Sequence, residues 1–191
     1  MDTLVAAIRK FNVLNQEELS EIPRYFRVSH IPKRRFFLQV GQIAPQLCFV
    51  KKGLLRNFVK KNDTTEIVNS FSEELTFNLV NVSFLTQTPS SEYIQALEDT
   101  ELLTIDYKNM QKLYSHHHGW ERIGRLLLES AVIEQNLRIR SFLEETAQMR
   151  YEKFMQRYPG LLHRTHQYHI ASYLGITPES LSRLRKHIYI Q

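Results

Sequence analysis

The run Leu174-Gly175-Ile176-Thr177-Pro178 ends one helix and opens another within three residues, which leaves the C-terminal quarter of the chain few ways to fold. Gly175 tolerates the positive φ that stops a helix sharply. Thr177 can cap the next helix with its hydroxyl, and Pro178 suits a first turn, where its missing amide hydrogen costs little. Before the break, Ile170 and Leu174 form an apolar stripe, and Ala171 is small where two crossed helices approach. After it, Leu181, Leu184 and Ile188 share one face, while Glu179, Ser182, Arg183 and Lys186 share the opposite one. The spacing predicts a helix-turn-helix from Gln167 to His187.

Charge separates this segment from the rest. Residues 1–145 hold 18 Lys or Arg against 18 Asp or Glu, whereas residues 146–191 hold seven basic and two acidic residues, so the net charge of +5 falls in the last quarter. A basic module points to a polyanion. Arg183 can take a guanine edge with two hydrogen bonds, Glu179 can accept from cytosine, and Lys186 or Arg185 can hold phosphates. Thr177 and Ser180 lie at the helix N-terminus, where backbone amides favour phosphate. The expected DNA-binding set is therefore Thr177, Glu179, Ser180, Ser182, Arg183 and Lys186. The competing reading is a helical hairpin that only packs, its outer face polar because exposed faces are polar.

Upstream, residues 1 to about 22 have helical spacing, with a helix start at Gln16-Glu17-Glu18. Between about 25 and 107, short β-like runs alternate with turn residues: 35–40, 47–50, 55–59, 65–71, 93–97 and 102–105. Strands so spaced predict a β-sandwich or barrel-like roll. Residues 113–145 read as one long helix whose positions Ile123, Leu126, Ser130, Ile133, Leu137 and Arg140 form a seam, as in a parallel homodimer. Packing on the chain's own β domain is the alternative for that seam. The segment 146–191 then reads as a helix to about Tyr158, a break at Pro159-Gly160, and the two short helices.

Two stretches in the strand-rich part, Phe49-Val50-Lys51-Lys52-Gly53-Leu54-Leu55-Arg56 and Ala96-Leu97-Glu98-Asp99-Thr100-Glu101-Leu102-Leu103, together with the C-terminal motif, resemble the Crp/Fnr family of regulators, most closely its Bacteroidetes versions. The likeness covers nearly the whole chain and is strongest over 35–60, 93–107 and 150–187. It implies an α+β fold: an N-terminal double-stranded, jelly-roll-like β-roll of the cyclic-nucleotide-binding kind (1–112), a dimerisation helix (113–145) and a winged helix-turn-helix (146–191). It further implies a transcriptional regulator that binds double-stranded DNA as a homodimer, with RNA polymerase as a further partner, and not an enzyme. The family's base-reading glutamate and arginine correspond to Glu179 and Arg183.

The chain also departs from that family. The stretches matching the phosphate-binding cassette read Ser72-Glu73-Glu74-Leu75 and Pro89-Ser90-Ser91-Glu92, with Ser90 in the arginine position. A buried phosphate without a cation is poorly compensated, so cyclic AMP is not the expected effector. An effector pocket, if used, would involve Phe71, Glu73, Glu74, Ser90 and Ser91. Pro178 stands where a cyclic-AMP-responsive member has another base-reading arginine, so the preferred DNA sequence should differ. A wing would have to come from 161–167, since the sequence stops at Gln191.

Other classes fare worse. One cysteine, Cys48, allows neither an intrachain disulfide nor an all-cysteine iron-sulfur site, and it reads as a small buried residue. No histidine stands in a haem-binding context. A cupin-like metal protein, in which the helical C-terminus would serve oligomerisation, needs several histidines in the barrel, and residues 1–115 contain only His30. The clusters His116-His117-His118 and His163, His166 and His169 read as exposed or packed side chains, with no bound metal expected. No apolar run is long enough for a membrane helix and no signal peptide opens the chain, so the expected location is the cytoplasm, away from membranes.

Overall fold

Three short helices open the chain: α1 (Asp2–Arg9), α2 (Gln16–Ser20) and α3 (Ile22–Tyr25) in the computed structural model, which describes the backbone of residues 1–188 and the side chains of residues 1–186. The Ile188 side chain, expected on an apolar face, lies outside the described residues. Helix α2 starts where Gln16-Glu17-Glu18 predicts, on a capping box in which Asn15 and Glu18 each accept the other's amide at 2.9 Å. Leu4, Ile8, Leu19 and Ile22 are buried in the core that these helices share with the strands.

Eight strands follow: β1 (Arg27–Ile31), β2 (Phe36–Leu38), β3 (Gln46–Lys52), β4 (Leu55–Lys60), β5 (Glu66–Ser72), β6 (Phe77–Asn78), β7 (Tyr93–Ala96) and β8 (Thr100–Asp106). They form two four-stranded sheets, ordered β1-β8-β3-β6 and β2-β7-β4-β5. This is the expected β-roll. Leu38, Phe49, Leu55, Ile94 and Leu103 fill its interior. The β3–β4 turn needs Gly53: its φ is +106°, and a Cβ there would stand 2.8 Å from the Thr100 backbone. Strand β1 escapes the sequence pattern because only Ile31 of its five residues is buried, and β6 is two residues long. Helix α4 (Asn81–Thr86) follows β6.

The predicted helix over 113–145 is two helices, α5 (Tyr107–His116) and α6 (His118–Glu144). Asp106 caps α5 by accepting the Asn109 amide, and the backbone becomes extended at His117, with φ −141° and ψ 104°. Leu113 thus belongs to the earlier helix. Then come α7 (Ala147–Arg157), α8 (Leu161–Arg164), α9 (Gln167–Leu174) and α10 (Pro178–Ile188), with the break at Pro159-Gly160 where the sequence predicts it. The wing expected from 161–167 is not a strand: its first four residues are α8, and no strand follows β8 among the described residues.

The chain divides into two compact units, Met1–Asn57 with Phe71–Ser130, and Phe58–Ser70 with Ala131–Gln191. This differs from the expected 1–112, 113–145 and 146–191. The end of the β4–β5 hairpin groups with the C-terminal helices, and α6 runs through both units. The second unit has its own core of Tyr151, Phe154, Tyr158, Leu161, Ile170, Ala171, Leu174 and Leu181, all buried.

Candidate nucleic-acid interface

Helices α9 and α10 are built as their sequence predicts. Ile170, Ala171 and Leu174 are buried, and Gly175 ends α9 in the left-handed conformation, with φ 69° and ψ 34°. The Ile176 amide returns to the Ala171 carbonyl at 3.0 Å, which satisfies an end carbonyl of the helix. Thr177 caps α10, its Oγ1 accepting the Ser180 amide at 3.2 Å. Leu181 is fully buried and Leu184 half-buried, so the second helix packs on α9 through the face expected.

The opposite face of α10 is open. Glu179, Ser182, Arg183 and Lys186 are all exposed, as is Thr177. A short polar chain organises its start: the Thr177 and Ser180 hydroxyl oxygens lie 3.2 Å apart, and Arg183 Nη2 donates to Ser180 Oγ at 3.3 Å. The Glu179 carboxylate is held below its ordinary pKa by hydrogen bonds from its own backbone amide and from the Thr177 hydroxyl, with the Arg183 charge adding to them. The six predicted residues therefore occupy one helix turn and its continuation, with an anion and a guanidinium side by side.

Two arginines brace this pair of helices from behind, and sequence reasoning missed both. Arg138, on α6, donates to the Tyr173 carbonyl at 2.9 Å, and Arg150, on α7, donates to the Leu174 carbonyl at 3.0 Å. Cations on the last carbonyls of α9 suit the negative end of its dipole. The Arg138 guanidinium lies 3.9 Å from the Tyr173 ring centroid, and both arginines lie 5.0 Å from that of Phe142. Burial lowers the Arg138 pKa from arginine's usual value, and the ring and carbonyls offset that loss of water. Phe154, Tyr158 and Tyr173 pack as a ring cluster beneath.

The expected dimer seam changes at one end. Ile123 is buried in the core of the first unit and is not available to a partner, because the start of α6 packs on its own β-roll. Leu126 is half-buried, and Ser130 is exposed with its hydroxyl bonded to the Leu126 carbonyl. Further along, Ile133 is 59% exposed, Leu137 60% and Leu143 79%, more than isolated core-type residues would be.

The expected effector residues are held locally. Glu74 accepts the Gly53 amide at 2.9 Å, and the Glu73 carbonyl accepts the Thr76 hydroxyl, so this stretch braces a turn. Ser90 is buried and bonded to the backbone of Glu92, Ser91 is exposed, and Phe71 is buried. Further buried polar side chains of this unit include Arg56, bonded to Gln95 at 2.6 Å, and Asn78, bonded to Asn57 and Ser72 at 2.7 and 2.8 Å. Cys48 is fully buried, and burial pushes its thiol pKa up, as suits a core residue. His30 is exposed on β1, and the His117 ring faces Glu18 and Glu21. Among the described residues, no helix is long and apolar enough to cross a membrane.

The family model of the cyclic nucleotide-binding domain matches residues 28–117, from β1 to the joint before α6. Solved structures extend the likeness over both units. FixK2 from Bradyrhizobium japonicum superposes with a TM-score of 0.77 at 15% identity, covering 87% of this chain and 85% of that one. A Crp/Fnr-family protein from Eubacterium rectale gives 0.70 at 16% identity, covering 94% and 86%. The catabolite activator protein of Thermus thermophilus gives 0.61 at 20% identity, covering 94% and 85%. The chain has the Crp/Fnr fold. Within this Crp/Fnr fold, α9 and α10 lie beyond the family-model match, and there the likeness is one of fold, carried by the superpositions. No curated protein sequence matches the chain.

Proposed function

We propose that the chain is a sequence-specific, DNA-binding transcriptional regulator that acts as a homodimer. The observation that carries this reading is the open face of α10, where Glu179 and Arg183 stand together, organised by Thr177 and Ser180. The helix N-terminus enters the major groove, Arg183 takes a guanine edge through two donors, and Glu179 accepts from a cytosine amino group. Lys186 and the basic surroundings hold phosphates, which position the helix without reading sequence. Pairing along the exposed part of α6, through Ile133 and Leu137, sets two recognition helices about 34 Å apart over a pseudo-palindromic site.

Cyclic AMP is not the effector in this reading, because the residues before β7 are Ser90-Ser91-Glu92 and supply no cation for a phosphate. Selection of bound duplexes from a random pool, followed by a salt titration, tests the proposal. A pseudo-palindromic consensus and a steep fall of affinity with salt are expected. No enriched sequence, or a salt-insensitive complex, would sink it.

A further inference from the structure

A basic stretch outside the reading face of α10 has no role yet. From Lys153 to Pro178 the sequence holds no Asp or Glu, while Lys153, Arg157, His163, Arg164, His166 and His169 all fall in that run. The fold separates its three histidines. His169 is buried on α9, its ring centroid 5.2 Å from that of Tyr168 and 6.0 Å from that of His166. His163, on α8, and His166, the N-cap residue of α9, are both exposed. They belong to the same compact unit as α10.

In a helix-turn-helix the second helix enters the major groove while the first crosses the phosphate backbone. Helix α9 runs from its cap at His166 to the turn at Gly175, so the two exposed imidazoles stand at the end of the first helix away from the turn. The stretch expected to form a wing, 161–167, forms no strand and presents these two rings instead. We infer that His163 and His166 contact DNA phosphates as imidazolium ions, which makes DNA affinity depend on pH.

The inference rests on the DNA-binding reading above and adds a titratable part to it. Imidazole ordinarily titrates at about pH 6.5. A phosphate beside it favours the charged form, so binding takes up protons and affinity rises as pH falls through that range. The groups on the surrounding elements keep their charge there. Helix α9 packs on α7, α10 and β5. On α7, Lys153 and Arg157 pair with Glu145 and Glu134 of α6, and Gln148 donates to Glu152. Arginines and lysines stay cationic and carboxylates such as Glu66 on β5 stay anionic between about pH 6 and 8. Glu179 on α10, held below glutamate's ordinary pKa, is ionised throughout. Histidine is thus the residue type whose charge changes here, and His169 is packed away from solvent.

The test measures the affinity of the full chain for a selected duplex across pH 6 to 8 at fixed salt. Parent affinity should rise about tenfold from pH 8 to pH 6. In the double variant His163→Gln, His166→Gln the change should shrink to within about twofold. At pH 6 the slope of log affinity against log salt should also drop by about two in that variant. The double variant His163→Arg, His166→Arg keeps the charge at every pH. It should bind at pH 8 about as tightly as the parent does at pH 6, which a disturbed fold would not do. A parent whose affinity ignores pH, or a glutamine pair that keeps the parent's pH dependence, would overturn the inference. So would an arginine pair no tighter than the parent at pH 8. A parent chain that binds no duplex at any pH overturns the DNA-binding reading itself, and this inference falls with it.

Discussion

Gly175 and Phe142 meet so closely that a Cβ on the glycine would stand 2.6 Å from Cε1 of the ring. The same glycine has φ +69°, which costs an L-residue about 1–2 kcal/mol. The turn of the helix-turn-helix therefore needs glycine for two independent reasons. Gly175→Ala should lower stability by about 2 kcal/mol or more, read by denaturant unfolding. Gly175→Asn separates the causes, because asparagine tolerates the left-handed region but still carries a Cβ. If it costs as much as alanine, the ring sets the penalty.

Arg183→Ala should weaken the cognate complex by about 1–3 kcal/mol and relax specificity at one base position. Arg183→Lys should not restore that specificity, since a point charge lacks the guanidinium's paired donors. The comparison is a randomised-site selection on parent and variants. An unchanged base preference contradicts the role given to Arg183.

The depressed pKa of Glu179 makes a signed prediction. Its ionised form is favoured in the folded chain, so its contribution is complete above glutamate's ordinary 4.5 and disappears as pH falls through the lower folded value. A carboxyl NMR titration should place its midpoint below 4.5. Thr177→Val, which removes the hydroxyl donor, should move the midpoint up. A parent midpoint at or above 4.5 would show that the hydrogen bonds around Glu179 are not formed in solution.

Leu137→Glu should abolish pairing along α6, because it sets like charges against each other across a two-fold axis. Sedimentation should then report a monomer. Binding to the full site should drop by about a hundredfold as the two recognition helices lose their linkage. A dimer that survives the substitution would move the interface elsewhere.

Arg150→Met should cost about 1–2 kcal/mol, since the Leu174 and Glu145 carbonyls both lose a charged donor while the side-chain stem is kept. Thermal unfolding measures it. A neutral result would mean that water replaces the arginine at the end of α9.

Local signals account for much of this architecture. The pair α9 and α10 was legible because every instruction for it lies within about twenty adjacent residues: the small Ala171, the glycine at the turn, the Thr177 cap and the amphipathic spacing of Leu181 and Leu184. Six of the eight strands announce themselves by apolar runs between turn residues, and the two that do not are either mostly exposed or very short. The long helix starts later than the sequence predicts, because residues 113–116 close α5 and the backbone becomes extended at His117.

What no local pattern carries is pairing at a distance. Ser172 and Arg138 look like ordinary helix residues in the sequence, yet they satisfy backbone groups of a strand 106 and 70 positions away. Glu74 likewise accepts the amide of Gly53, 21 positions before it. The chemistry of the outward face of α10 follows from helical periodicity and the sign of its charges, so it can be read from the chain. Which face of each helix is braced, and by what, follows only when the fold brings unpaired carbonyls and amides within reach of a donor or acceptor that burial forbids to remain alone.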